Sequence, residues 1–120
     1  MNLLEKNGVR YVRGFRGLKL IEKESDVNLV MEAAYEKDAD RALLYKENLP
    51  AEFTKLGSGQ AGMVLHKFMT YRMKLAVVVD KEDTEKGKFA EMVTEVNMHN
   101  NLFHVFTDEQ SAEEWLVKEN

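Results

Sequence analysis

Cysteine is absent from this sequence, proline occurs only once, at Pro50, and no hydrophobic run is long. Without thiols the chain forms no disulfide, no zinc–thiolate site and no cysteine nucleophile, which is typical of a reducing compartment. The longest strongly apolar run, residues 75–79, is far shorter than the roughly 20 residues that span a bilayer. The stretch MNLLEKNG at the start has no apolar run of signal-peptide length. We therefore expect a cytoplasmic protein that makes no contact with a membrane.

The chain also lacks an excess of basic residues. Its 17 lysines and arginines are outnumbered by 21 aspartates and glutamates, and the net charge is −4. Nucleic-acid phosphates require a concentrated basic surface, whereas the cluster of Arg10, Arg13 and Arg16 is followed closely by acidic residues. We expect no nucleic-acid partner. With 120 residues, of which 44% are hydrophobic and 32% charged, the chain has the size and composition of one soluble globular domain.

Short β-rich runs alternate with helical patterns along the whole chain. The runs VRYVRG and LKLIEK predict a hairpin closed at GFRG. Further strands are predicted at RALLYK, KLAVVVD and NLFHVF, each followed by a segment with apolar residues at helical spacing. The predicted order is ββαβαβαβα, because another helix lies between the hairpin and RALLYK. We therefore predict a single α/β domain over residues 1–120, with a mixed, mostly parallel sheet of about five strands and about four helices.

Capping residues predict where three of these helices begin. Ser25 offers an N-cap oxygen to the first helix, and the second helix is expected from about Ser58. Thr107 and Gln110 have the spacing of a capping box and predict the start of the last helix.

The stretch LGSGQAG matches the dinucleotide-binding pattern G-x-G-x-x-G, with Gly57, Gly59 and Gly62 as its glycines. Asp80 follows at the distance where a ribose-binding acid is found in such folds. The pattern requires its first glycine directly after a strand, but the preceding strand is predicted to end near Lys46. We interpret the match as accidental and the stretch as the start of a helix.

Two roles remain open for this helix start. In the structural interpretation, Gly57 permits a positive-φ turn, Ser58 caps the helix, and Gly59 and Gly62 permit close approach to the sheet. In the functional interpretation, Ser58, Gly57, Gly59 and Gln60 bind an anion at the positive end of the helix dipole, or Ser58 itself carries a phosphate.

Parallel strands collect functional groups at their carboxyl ends, where loops and helix starts meet. We expect Ser58 to be the leading site residue there, and Asp80, at the end of a buried strand, to orient a neighbour. The supporting site residues expected at this edge are Asp80, Glu47, Asn48 and Asp108.

Signatures of catalysis are missing. His66, His99 and His104 do not have the i, i+4 spacing of helical metal ligands, and no G-x-S-x-G nucleophile elbow is present. We therefore predict a non-enzymatic domain with no catalytic residues, no metal and no cofactor.

Two long stretches carry a family resemblance. LLYKENLPAEFTKLGSGQAGMVLHKFMTYRMKLAVVVD, followed later by LFHVFTDEQSAEEWL, resembles the bacterial domain of unknown function 4180. The resemblance is most specific at ENLPAEF and AEEWL, and it implies no assigned activity.

The order of strands and helices is also similar to that of the STAS-type group, which includes anti-sigma-factor antagonists. That resemblance implies a small sheet flanked by helices and a role in binding partner proteins. Ser58 matches the antagonists' phosphorylatable serine by location, although Leu-Gly-Ser-Gly replaces their Asp-Ser-Ser-Gly pattern. We therefore predict a protein-binding or regulatory module with a protein partner, and a homo-oligomer is possible. The alternative is a small-ligand or nucleotide/anion-binding domain that uses residues 57–62.

Overall fold

The computed structural model describes residues 1–118 and contains one mixed five-stranded sheet in the order β1-β2-β3-β4-β5. The strands are β1 (Asn2–Lys6), β2 (Val9–Arg13), β3 (Arg41–Tyr45), β4 (Lys74–Val78) and β5 (Phe103–Phe106). The α-helices are α1 (Glu24–Glu36), α2 (Gln60–Thr70), α3 (Lys88–His99) and α4 (Glu109–Leu116). The predicted order ββαβαβαβα and the mostly parallel sheet are confirmed.

The strands pair in their order along the chain. β1 is antiparallel to β2, and every later pair is parallel. The pairing of β3 with β4 extends over five residues of each strand, whereas β2 is in register with β3 only at Val12↔Ala42 and Arg13↔Leu43. The amino-terminal hairpin is therefore joined to the rest of the sheet by its shortest ladder.

The two faces of the sheet are covered unequally. Successive parallel strands step in one direction, so right-handed crossovers place α1, α2 and α3 on the same face. The larger core lies under these three helices, and a smaller core lies under α4 on the other face. Because both faces are covered at the centre, all five residues of β4 are buried, as KLAVVVD predicted.

The amino-terminal hairpin lies earlier than the sequence prediction placed it. Asn7 and Gly8 connect β1 to β2, both with positive φ (55° and 76°), as a type I′ turn requires. The prediction overlooked Asn-Gly, the strongest local hairpin signal. LKLIEK is not a strand, because its Leu20 and Ile21 amides donate to the Asn48 carbonyl at 3.0 and 2.8 Å instead of to a sheet neighbour.

The predicted cap of α1 was also wrong. The helix begins at Glu24, so Ser25 lies inside its first turn. The Asp26 carboxylate reaches back and accepts from the Glu22 and Lys23 amides at 3.0 and 3.1 Å. A carboxylate satisfies these free amides at the positive end of the helix dipole, and this lowers the pKa of Asp26.

The start of α4 differs from its prediction by one residue. Asp108, not Thr107, is the N-cap, and its carboxylate accepts from the Ser111 amide at 2.7 Å. Aspartate is as strong an N-cap as serine or threonine. The supporting site residue Asp108 therefore has a structural role at the start of this helix.

Candidate functional site

A cleft of about 210 Å³ lies where β3 and β4 end, at the carboxyl edge of the sheet. The loop after β2 and the 3₁₀ turns Lys46–Asn48 and Lys81–Thr84 form its walls together with Thr107. Equal numbers of basic and acidic side chains line it: Arg16, Lys46, Lys81, Glu47, Asp80 and Glu82. The cleft is polar but carries no net charge.

Arg16 is fixed on one wall of the cleft. Its Nη1 donates to the two Glu47 carboxylate oxygens at 3.3 and 3.1 Å, and its guanidinium lies 4.0 Å from the centre of the Tyr45 ring. Burial acts to raise the pKa of Glu47, but hydrogen bonds from its own amide and from Arg16 outweigh burial, and the pKa is lowered. Glu47 is therefore ionised at neutral pH and holds the arginine over the ring.

Lys46 joins the other wall to the turn after β4. Its Nζ donates to Asp83 at 2.8 Å and to Asp80 at 3.2 Å. The hydrogen bond to Asp83 raises the pKa of Lys46 against the opposing effect of burial, and the bond to Asp80 adds to the rise. The side chain that Asp80 contacts in the structure is that of Lys46.

Asn48 lies beneath the cleft and is fully buried. Its Nδ2 donates to the carbonyls of Phe15 and Leu18 at 2.7 and 2.6 Å, and its Oδ1 accepts from the Tyr45 amide at 2.7 Å. Gly14 packs so closely that an added Cβ would lie 2.3 Å from Asn48 Oδ1. Asn48 therefore anchors the loop after β2, and both of its amide hydrogens are already used.

This anchored loop presents two large apolar side chains to solvent. Phe15 is 43% exposed and Leu18 is 47% exposed, on either side of Arg16 and Gly17. The Leu18 amide donates to the Phe15 carbonyl at 3.4 Å, and Gly17 has φ +78°, so the four residues form a turn. We call residues 15–18 the apolar turn. The sequence prediction missed it because GFRG was assigned to a hairpin loop between two strands.

Ser58 lies outside the cleft, in the 3₁₀ turn Leu56–Ser58. Its Oγ donates to the Glu52 carbonyl at 2.9 Å and accepts from the Gln60 amide at 3.2 Å. From the position before the N-cap residue Gly59, the hydroxyl therefore satisfies one of the free amides at the start of α2. Gln60 borders a separate hollow of about 270 Å³ together with Lys19 and Pro50.

The glycines around Ser58 differ from their predicted roles. Gly59, at the N-cap of α2, has the positive φ of 79°, and Gly57 does not. A Cβ added at Gly57, Gly59 or Gly62 would have no neighbour within 4 Å, so none of them permits a close approach to the sheet. β3 ends at Tyr45, well before Gly57, which itself lies in the second of the two 3₁₀ turns between β3 and α2. This geometry is not that of a dinucleotide-binding loop.

The predicted site residues thus fall into two groups. Glu47 and Asp80 line the cleft, with Asn48 directly beneath it. The group around Ser58 is not brought to the cleft, because the long loop after β3 displaces the start of α2.

Two tyrosines on the opposite face of the sheet hold α4. The hydroxyl of Tyr11 donates to Glu113, which also pairs with Lys6 Nζ at 3.0 Å, and the hydroxyl of Tyr45 donates to Glu109. Hydrogen bonds from Tyr11 and Lys6 lower the pKa of Glu113. Burial, together with the bond to Glu113, raises the pKa of Tyr11. These bonds connect a short helix to two neighbouring strands.

His104 belongs to this same packing. Its ring stacks on Trp115 with 4.1 Å between ring centres, and burial, reinforced by the Lys74 charge, lowers the pKa of His104. Within residues 1–118, no three histidine or acidic side chains are grouped so that they could bind a metal ion. In the same range, none of the helices has both the length and the apolar character that crossing a membrane requires.

Comparison with known proteins gives one match. The family model described as "Domain of unknown function (DUF4180)" matches residues 6–116. No match was found among the curated proteins or among the solved structures. The matched range includes both ENLPAEF and AEEWL, the two segments that carry the resemblance in the sequence. The chain belongs to the DUF4180 family.

Proposed function

We propose that this chain is a cytoplasmic protein-binding module that contacts its partner through the apolar turn. The observation that carries the proposal is the exposure of Phe15 and Leu18 on a loop that Asn48 anchors. A single exposed apolar residue is common on protein surfaces. Phe15, beside an arginine that stacks on an aromatic ring, matches the enrichment of aromatic residues and arginine at interface centres, and Leu18 adds apolar area on the same turn.

The anchoring of the turn supports binding because it lowers the entropic cost of association. Asn48 fixes the carbonyls of Phe15 and Leu18, and Glu47 accepts from the Gly17 amide at 3.3 Å. The turn therefore holds one conformation before a partner arrives. The partner that fits these side chains is a protein with an apolar pocket.

The charges of the cleft favour a protein partner over a small anion. Arg16 and Lys46 are already neutralised by carboxylates, so a phosphate would have to compete with Glu47, Asp80 and Asp83. The similarity of the element order to STAS-type antagonists also supports a binding role. Because Ser58 matches the location of the phosphorylatable serine in those antagonists, we propose Ser58 as a phosphoacceptor.

Site-specific cross-linking in cells tests the proposal. We expect a photo-activated cross-linking side chain at Leu18 to trap a defined protein, either a different chain or a second copy of this one. The same side chain at Leu29, which is exposed on α1, is the matched control and should not trap that protein. Adding Phe15→Ser should strongly weaken the cross-link, because burial of the exposed part of the phenylalanine against the partner would contribute about 1.4 kcal/mol, or about tenfold in affinity.

Two outcomes oppose the proposal. One is an undiminished cross-link in the Phe15→Ser protein, and the other is the same set of trapped proteins from Leu18 and Leu29.

The alternative function, binding of a nucleotide or another anion at residues 57–62, is tested by thermal unfolding. A nucleotide at 100 times its dissociation constant adds about 2.7 kcal/mol to the free energy of unfolding. Such a gain, lost on Ser58→Ala, would establish the alternative.

A further inference from the structure

A groove of about 300 Å³ lies between α1 and the end of α2, near the amino ends of the parallel strands and away from the apolar turn. Tyr35 and Tyr71 line it at 46% and 51% exposure, and buried Met31 contributes an apolar surface. The Tyr35 hydroxyl donates to the Tyr71 carbonyl at 2.9 Å and so ties the two helix ends together. The groove is therefore open to solvent, partly aromatic and held in shape. We call it the tyrosine groove.

The tyrosine groove also contains a carboxylate without a cationic partner. Glu32 lines it one helical turn before Tyr35, and within residues 1–118 no basic nitrogen lies within 4.0 Å of the Glu32 carboxylate. Lys67 is directed elsewhere, to Glu24 at 3.4 Å and to Asn28 at 3.5 Å. Among the residues that line the groove, Glu32 thus provides a carboxylate that is available to a ligand.

The rest of α1 reinforces this negative charge. The helix sequence ESDVNLVMEAAYE contains four acidic residues and no basic one. Its last turn, which includes Tyr35, lies at the negative end of the helix dipole and contains no basic residue; Lys37 follows it as the C-cap. The adjoining hollow differs, because there Arg10 and Arg41 balance Asp38 and Asp40. Lys67 offsets the charge of Glu24, so the excess negative charge on α1 comes from its other acidic residues, and Glu32 places part of it at the groove.

We propose that the tyrosine groove binds an arginine side chain of a partner protein. A guanidinium is planar, stacks on aromatic faces and pairs with a carboxylate through two parallel hydrogen bonds. Tyr35 and Tyr71 supply the aromatic surfaces and Glu32 supplies the carboxylate. This site is distinct from the apolar turn at the opposite edge of the sheet, so it does not depend on the function proposed above.

Titration with blocked peptides, followed by NMR, tests the proposal on the whole chain. The probe is acetyl-Gly-Arg-Gly-amide, and the control peptide contains citrulline, which has nearly the same shape but no charge. We expect the arginine peptide, at millimolar concentration, to shift the Tyr35 and Tyr71 ring signals and the Glu32 amide. The citrulline peptide should leave these signals unchanged. Equal shifts with both peptides, or none with either, would overturn the proposal.

Matched variants separate the groove from the general acidity of α1. Glu32→Gln and Tyr71→Leu should each weaken binding of the arginine peptide about fivefold, since one charged or cation–π contact is removed. Glu36→Gln removes the same charge from the same helix outside the groove and should change binding less than twofold. Unchanged backbone spectra verify that each variant is folded. If Glu36→Gln weakens binding as much as Glu32→Gln does, the peptide is attracted by the helix charge as a whole and the groove is not its site.

Discussion

At the residue scale, the close contact between Gly14 and Asn48 determines how the apolar turn is held. An added Cβ at Gly14 would lie 2.3 Å from Asn48 Oδ1 and 2.8 Å from Cγ, which no real structure accommodates without movement. The same side chain donates the two hydrogen bonds that hold the loop, to the Phe15 and Leu18 carbonyls, and accepts a third from the Tyr45 amide. Because Gly14 has no side chain, there is room for the side chain of Asn48, thirty-four residues later in the sequence, in the position where it holds the loop.

Replacing Gly14 by alanine should destabilise the protein by roughly 2–4 kcal/mol, because Asn48 must move and leave buried polar groups unpaired. Gly62→Ala is the matched control. It lies inside α2 with no atom within 4 Å of the added Cβ, so it should stabilise the helix by about 0.5–1 kcal/mol. Urea denaturation measures both changes. Equal effects of the two substitutions would show that the position of the Asn48 side chain does not depend on its close contact with Gly14.

Ser58 offers a second test at this scale. Ser58→Ala removes the hydrogen bonds with Glu52 and Gln60 and should lower the free energy of unfolding by about 1 kcal/mol. The loss is this small because the residue is exposed and water can replace the hydroxyl. Ser58→Asp keeps an acceptor for the Gln60 amide and adds the charge of a phosphate mimic. If Ser58 is a phosphoacceptor, only the aspartate should change partner binding, as measured by the cross-link at Leu18. If neither substitution changes it, Ser58 is a helix cap and nothing more.

At the element scale, α4 is attached to the sheet by hydrogen bonds whose strength depends on pH. Tyr11 donates to Glu113, and the folded protein lowers the pKa of this carboxyl below its usual value of 4.5. A lowered pKa adds stability above the pKa of the unfolded chain, and the gain is lost as the pH falls through the folded value. The attachment of α4 should therefore weaken below about pH 4.5.

Glu113→Gln measures this effect. At pH 7 the variant should be about 1 kcal/mol less stable than the wild type, a modest value because Lys6 and Glu113 are partly exposed. The difference should shrink as the pH falls from 5 to 3, when the wild-type carboxylate takes up its proton. Denaturation curves at several pH values give the result. Glu114→Gln, at an exposed position on the same helix, should lack this pH dependence, and a similar profile for both variants would argue against the bond with Tyr11.

The elements differ in how far the sequence predicted them. β4 was recognised because a continuous apolar run is buried on both faces, and the three crossover helices because their apolar residues recur at helical spacing. LKLIEK was mistaken for a strand because Leu20 and Ile21 are partly or fully buried in a loop held by Asn48. Local patterns show that a residue is buried, but they do not show which distant side chain buries it.

The positions of the candidate site residues were also predictable only where they did not depend on long-range contacts of a loop. Glu47 and Asp80 both line the cleft, because residues that end neighbouring parallel strands share an edge of the sheet; a functional role for them stays a prediction. Arg16 was missed, since its position depends on a loop that the sequence prediction assigned to a hairpin. The long loop after β3 moved Ser58 away from the same edge. The path of such a loop depends on contacts that carry no periodic signal.

At the scale of the whole molecule, the two proposed binding surfaces lie at opposite ends of the strands. The apolar turn follows the carboxyl end of β2, whereas the tyrosine groove lies where α1 and α2 end, near the amino ends of β3 and β4. They also differ in chemistry, because one is apolar with an adjacent arginine and the other is aromatic and acidic. If both surfaces bind proteins, one copy of the chain would contact two partners without either blocking the other.

The ladder between β2 and β3 has fewer residue pairs in register than the other parallel ladders of the sheet. With only two residue pairs in register, separation of the hairpin from β3 would break fewer ladder pairs than separation at either of the other parallel ladders. Asn48 crosses the boundary, because it follows β3 and holds the loop that follows β2. A protein bound at the apolar turn would favour the closed sheet, and by thermodynamic linkage the closed sheet would bind that protein more tightly. Asn48 is therefore the side chain through which a protein bound at the apolar turn would stabilise the pairing of β2 with β3.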